Sequence, residues 1–360
     1  MRTYIATYFI AIMVGLVLTP LVILLARRFG VVDAPGLRRM DSKAIPRIGG
    51  VAIGLAILLG VLPAMMISNS IGQAFTNVLP EVWAIFASAL GMLILGLVVD
   101  LKSSRARFKL FGQLAAAFIV CYYGVRIQVL TVPGLFSVDL GWWSWPLTIF
   151  WIVCVTNAVN LIDGLDGLAA GIAAIICAVI AVFALYSNMQ VMTVIMMAML
   201  GSLSAFLAFN RNPARVFMGD CGSLFLGFML ATFSVLYGTK AHIAVGLALP
   251  ILAMGVPLFD TTFAMLRRLL ERHGMMSPYR SHIHHRLVDM GLTHRHVAII
   301  LYLEMAVAVG LGLFMMVTKS SSTVVVIGGV LLLLVVVFRV VRLVRLAFKT
   351  CETIGLCRRD

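Results

Sequence analysis

Asparagine and aspartate recur at every third position in the segment NAVNLIDGLDGLAAG (157–171), as Asn157, Asn160, Asp163 and Asp166. On a helix that spacing puts them on one face. Gly164 and Gly167 let the chain bend and let a ligand approach the backbone closely. Carboxylates this close repel each other unless a cation neutralises them. Oxygen donors of this kind suit Mg²⁺, which takes one or two carboxylates together with substrate phosphates. The plainer alternative is a solvated acidic helix cap, where Asp is common. Four such residues at regular spacing exceed what a cap needs.

Two further segments carry chemistry. In FNRNPARVFMGDCGSLFLG (209–227), Asp220 lies between two glycines just before an apolar run. It can cap a helix, and the Gly-Asp-x-Gly-Ser turn offers backbone N–H groups to an anion. In SPYRSHIHHRL (277–287), Arg280, His282, His284, His285 and Arg286 form a compact donor cluster. A metal site is one alternative, since His is a common ligand. The two Arg argue instead for an anion bound through charge-assisted hydrogen bonds, and a merely basic loop would explain the Arg but not the His. Asp100, Asn210 and Asp260 are further polar residues at or inside apolar runs, where acids cost free energy and call for a cation or a proton path.

The elements that must position these groups are membrane spans. The chain has 360 residues, 62% apolar and 12% charged. Soluble domains average near 45–50% apolar and about 25% charged, so a soluble globular protein is excluded, as is a disordered one. Eleven apolar runs read as spans of about 30 Å of hydrocarbon, the fourth of them short. They lie near 4–26, 49–68, 81–99, 110–125, 143–161, 167–187, 189–209, 222–238, 242–265, 297–318 and 323–346. The expected fold is an all-α polytopic membrane protein, with a small external hairpin near 127–140 and Trp142, Trp143 and Trp145 at the interface. One transmembrane domain over 1–350 and a short basic tail over 351–360 account for the chain.

The charges set an orientation. Of 28 Lys and Arg, 24 fall on one side of these spans. The positive-inside rule makes that side cytoplasmic, with the N-terminus outside and the C-terminus inside. The net charge of +14 is therefore a topology signal and not a nucleic-acid signature. The first span is too long for a cleaved signal peptide, and its Arg pair follows it. The six Cys show no disulfide framework and no zinc pair. The acids and the basic cluster then share a cytoplasmic cleft at membrane level. Such a cleft suits a phosphorylated, water-soluble donor and a lipid phosphate acceptor.

Five segments occur in an order that resembles one family. They are DAPGLRRMDSKAIPRIGG (33–50), GLVVDLKSSRARFKLFGQ (96–113), NAVNLIDGLDGLAAG (157–171), FNRNPARVFMGDCGSL (209–224) and HIHHRL (282–287). Together they are similar to the polyprenyl-phosphate N-acetylhexosamine-1-phosphate transferases, the bacterial MraY/WecA/TagO family, across about residues 10–345. The resemblance implies a reaction in which undecaprenyl phosphate attacks the β-phosphate of a UDP-N-acetylhexosamine and UMP leaves. It implies Mg²⁺, with Mn²⁺ as a substitute, and a multi-pass, homodimeric enzyme of the bacterial inner membrane acting on the cytoplasmic face. By motif match, Asp220 is the metal-binding residue and Asn160 a second ligand. Asp163 and Asp166 form the acidic pair at the nucleotide, and Asp100 joins them as a catalytic residue. Asn157, Asn210 and Phe217 belong to substrate binding, the last two at the uridine, and Lys109 faces phosphate. Arg280, His282, His284, His285 and Arg286 complete substrate binding, and the HIHHRL segment (282–287) resembles the carbohydrate-recognition motif of the UDP-GlcNAc branch.

The pattern departs from the family at three places. Val99 precedes Asp100 where the family has a second Asp, Asp41 stands where His is common, and Tyr279 stands where Asp is common. A phosphate monoester has a second pKa of about 6, so the acceptor is mostly dianionic near neutral pH and can dispense with a general base. Two other functions stay open on the sequence. Val99 would fit a binding relative without turnover. Polar residues within spans would fit a transporter, although transporter sites lie near the bilayer midplane.

Overall fold

The computed structural model describes residues 1–33, 44–102, 106–132, 136–240, 293, 296–303 and 305–306. Their helices are α1 (Arg2–Arg28), α2 (Gly50–Met66), α3 (Ser70–Thr76), α4 (Leu79–Lys102), α5 (Ala106–Tyr122), α6 (Ser144–Ile162), α7 (Leu168–Tyr186), α8 (Gln190–Asn210) and α9 (Gly219–Lys240). Among the described residues six helices are long and apolar enough to cross a membrane, or seven if the bent pair α2–α3 is one span. The ninth and eleventh expected spans lie outside the described residues, and only the start of the tenth, at 296–303 and 305–306, is described as helix.

These segments are helical because lipid offers no partner for a free N–H or C=O. Five threonine hydroxyls follow the same rule. Thr19, Thr148, Thr156, Thr193 and Thr232 each donate to the carbonyl four residues earlier, at 2.6–2.9 Å. A buried hydroxyl is thereby satisfied without a partner helix.

The bundle is organised around α9. Of its apolar window 89% is buried, against 28% for α1. α9 packs on α4, α6 and α2, while α8 packs on α1, α7 and α2. α5 closes the other flank against α4 and α6. Phe225, Phe228 and Phe233 of α9 are among the largest fully buried side chains.

Several boundaries differ from the sequence expectation, each for a local reason. The second run, expected as one span over 49–68, breaks after Met66 and turns by 108° into α3. Asn69 stabilises that break by accepting from the N–H groups of Ile71 (2.9 Å) and Gly72 (3.0 Å). α5 begins at Ala106, four residues before the apolar run, so Lys109 sits on helix and not in a loop. α9 begins at Gly219, which places Asp220 in its first turn.

Two strand pairs complete the description. β1 (Val32–Asp33) pairs antiparallel with β2 (Ile45–Pro46). β3 (Val129–Val132) pairs antiparallel with β4 (Phe136–Asp139), in a register that sets Val129 opposite Asp139.

Candidate active site

The polar groups gather at one end of the bundle, where α4, α6 and α8 end and α2, α5, α7 and α9 begin. The start of α2 is knitted to the chain entering α9. Phe217 N donates to Pro46 O (2.7 Å), Gly49 N to Phe217 O (3.0 Å) and Gly50 N to Met218 O (2.9 Å). This pairing lays the Arg47 backbone against Gly219. Gly219 has φ +74°, and a Cβ there would overlap the Arg47 carbonyl oxygen and lie 2.8 Å from Asp100 Oδ2. Only glycine meets both demands.

Asp100 caps α9 from outside. Its Oδ1 accepts from Asp220 N at 3.1 Å and its Oδ2 from Cys221 N at 3.0 Å. These are two of the donors that a helix start leaves without an internal partner. The sequence allowed Asp220 to cap its own helix; the structure gives that task to Asp100 and leaves the Asp220 side chain to Lys109 and Asn160. Asp100 is 6% exposed, and the preceding Val99 is 8% exposed. Arg47 donates to the Asp100 carbonyl and pairs with Asp33 Oδ1 at 3.0 Å. A cation at the end of α4 is favoured by the helix dipole.

Asp220 is held from α5 and α6. Lys109 Nζ lies 2.9 Å from Asp220 Oδ2 and 3.2 Å from Asn160 Oδ1. Asn160 Nδ2 donates to Asp220 Oδ1 (2.6 Å) and to Ser223 Oγ (2.7 Å). The ion pair stays open to solvent, with side chains 18% and 24% exposed. One turn deeper, Gln113 and Asn157 exchange amide hydrogen bonds of 3.2 and 2.7 Å. Gln113 is 1% exposed. Lys109 and Gln113 are four apart on α5, and Asn160 and Asn157 three apart on α6. They therefore meet as two rungs between antiparallel helices.

The acidic pair is placed differently from the three-residue helical repeat. α6 ends at Ile162, and Asp163 is its C-terminal cap residue at φ −74°, ψ 38°. Asp166 lies in the turn before α7, so only Asn157 and Asn160 share the helix face. Asp166 Oδ2 accepts from Asn212 Nδ2 (3.1 Å) and Ala214 N (3.2 Å). Asn210 accepts from Gly167 N (3.1 Å) and donates to Val216 O (2.7 Å). It thus ties the 163–167 turn to the 209–218 segment.

A cleft of about 260 Å³ opens between these elements. Asp33, Arg47, Asp100, Asn160, Asp163, Gly164, Leu165, Asp166, Asn210, Phe217, Gly219 and Asp220 line it. Among the described residues no group of three His, Cys, Asp or Glu could hold a metal unaided. The donors at the cleft are carboxylate and amide oxygens. That chemistry fits Mg²⁺, whose shell needs few protein ligands when substrate phosphates and water complete it. Arg280, His282, His284, His285, Arg286, Asp260, Asp41 and Tyr279 lie outside the described residues.

Arg47, Asp33, Gln113 and Ser223 were not singled out as site residues by the sequence. Each lies inside one of the five ordered segments. Gln113 carried a usable signal, its four-residue spacing from Lys109. The contact of Arg47 with Asp100 depends on tertiary pairing and has no local signature.

The fold and site are an apolar multi-helix bundle with an acidic cleft at its helix ends, and known proteins are similar to it in sequence. The model described as Glycosyl transferase family 4 matches residues 82–238. The chain belongs to this family of multi-pass membrane transferases. It is 35% identical over 300 residues to a Bacillus subtilis protein named probable undecaprenyl-phosphate N-acetylglucosaminyl 1-phosphate transferase, covering 83% of this chain and 81% of that one. It is 32% identical over 312 residues to a Mycobacterium leprae decaprenyl-phosphate N-acetylglucosaminephosphotransferase, covering 79% and 77%. It is also 30% identical over 332 residues to a Bacillus subtilis phospho-N-acetylmuramoyl-pentapeptide-transferase, covering 86% and 97%.

Proposed function

We propose that the protein transfers N-acetylglucosamine 1-phosphate from UDP-N-acetylglucosamine to undecaprenyl phosphate. The products are a lipid-diphosphate sugar and UMP. The observation that carries this reading is the Lys109–Asn160–Asp220 cluster at a cleft edged by Asp163 and Asp166. A cation paired with a metal-competent carboxylate beside further carboxylates suits a diphosphate. Relatives named for GlcNAc-phosphate transfer favour it over a transporter or an inactive binder.

An oxygen of the acceptor phosphate forms a bond to the donor's β-phosphorus. The bond from that phosphorus to the oxygen bridging the two phosphates breaks, and UMP departs with the electron pair. The acceptor oxygen is already deprotonated near neutral pH, given a second pKa of about 6. Val99 therefore withholds nothing that the attack requires. Lys109 moves from Asp220 to the phosphates, Asp163 and Asp166 orient the nucleotide, and Phe217 and Asn210 shape the uridine side. Arg280, His282, His284, His285 and Arg286 complete the proposed substrate-binding set, with the HIHHRL segment assigned to the sugar. Asp220 and Asn160 would hold Mg²⁺, or Mn²⁺ in its place, which supplies charge stabilisation to the diphosphate.

The site end faces the cytoplasm of the bacterial inner membrane, following the basic-residue bias, with eleven spans in all and a membrane homodimer as the assembly. The test is UMP release by purified protein given UDP-GlcNAc, undecaprenyl phosphate and Mg²⁺. Release is expected only with all three present. No release with any UDP-N-acetylhexosamine overturns the reading.

A further inference from the structure

A second cavity, of about 700 Å³, adjoins the first. Asp166 lines both. Its other walls include Gly167, Arg211, Arg215 and Tyr302. Tyr302 comes from the helical stretch at 296–303, which follows the HIHHRL segment (282–287) and is remote in sequence from the other four motifs. Its hydroxyl donates to Gly167 O at 2.5 Å.

Gly167 is thereby held on both sides of its Cα. Its N–H donates to Asn210 Oδ1 (3.1 Å), and its carbonyl accepts from Tyr302. Gly167 has φ +77°, and the residue before it is Asp166. The contact also explains Gly171. A Cβ at 171 would overlap the Tyr302 hydroxyl and lie 2.6 Å from its ring Cε1. Tyr302 and Gly171 are thus a matched pair across the start of α7. Val297, Ala298 and Leu301 already bury the apolar side of this stretch. Packing alone asks for no hydroxyl at 302.

We propose that Tyr302 is a positioning residue for the donor: by holding Gly167 it sets the shape of the turn from which Asp163 and Asp166 meet the UDP moiety. This rests on the proposed transferase reading. Gly171 N also donates to Gly167 O, at 2.8 Å. Removing the hydroxyl therefore leaves the carbonyl partnered and changes the geometry of the turn instead of stranding a buried group.

The test uses the full chain in detergent or nanodiscs. It measures UMP binding by calorimetry and UMP release with each substrate varied. Tyr302→Phe is expected to raise the Kd for UMP and the KM for UDP-GlcNAc about three- to ten-fold, the range of one net hydrogen bond. It keeps kcat and the acceptor KM within about two-fold, the pattern of lost donor binding. Gly171→Ala gives the same donor defect by displacing the ring. The double variant is no worse than Gly171→Ala, since both remove one bond. Wild-type-like UMP binding by Tyr302→Phe overturns the inference, as does an equal loss of kcat, both KM values and thermal stability. Wild-type protein that neither binds UMP nor releases it overturns the transferase reading and this inference together.

Discussion

The carboxylate of Asp100, at the end of α4, caps the helix that carries Asp220. It spans the N–H groups of Asp220 and Cys221 at 3.1 and 3.0 Å. The two acids therefore cooperate through the backbone: one fixes the position from which the other works. Asp100→Ala should cost about 0.5–2 kcal/mol, as helix-cap removal does, and should lower turnover by displacing Asp220. Thermal unfolding and UMP release, measured on the same preparation, check this. Full stability combined with full loss of activity would assign Asp100 direct chemistry instead.

Lys109 and Asp220 should behave as one unit. Asp220→Ala is expected to abolish most UMP release. Lys109→Ala should lower kcat/KM by roughly 10²-fold, in the range found on removing one electrostatic group. The double variant should be no slower than Asp220→Ala alone, because coupled residues are not additive. Additive losses would mean that the pair at 2.9 Å does not act jointly.

The second rung between α5 and α6, which includes Asn157, is expected to act on stability more than on turnover. Asn157→Leu leaves the Gln113 amide buried without its partner, at a cost of about 1–3 kcal/mol. Replacing both residues by Leu should recover most of that stability, since neither amide is then stranded. Denaturation midpoints of the three variants decide the matter. Activity should fall less for Asn157→Leu than for Asn160→Leu, whose amide touches Asp220.

Chelation offers a separate check. EDTA should stop UMP release, Mg²⁺ should restore it, and Mn²⁺ should substitute. Ca²⁺ should serve poorly, because it takes more oxygen ligands in a looser geometry. Turnover that is indifferent to EDTA would remove Asp220 and Asn160 from metal duty.

Much of the arrangement is legible in the sequence. Apolar run length marked eight of the helical stretches from Arg2 to Lys240, because in lipid a spanning chain has little choice but helix. Segment identity marked Lys109, Asn160 and Asp220 as partners of a site. What sequence could not convey was the side of a helix end on which a residue falls. Asp163 and Asp166 looked like a continuation of a helical repeat, yet α6 stops at Ile162 and a turn carries them. Asp220 looked like a cap because Gly-Asp turns often are, but Asp100 occupies that role from another helix. Arg47 and Tyr302 act on backbone carbonyls more than fifty residues away, and no spacing rule encodes such a contact.

The two rungs between α5 and α6, the Asp100 cap and the Asn210 tie all lie at one end of long rods. A rod about 30 Å long that tilts by about 2° moves its far end by about 1 Å, a displacement that can cost 10²-fold in rate. The cross-links work as a collar at that end. Were bilayer thickness to change and the helices to tilt to match, a collar at this end would make the site the pivot. Movement would be displaced to the opposite ends, so the cleft could keep its dimensions in membranes of different depth.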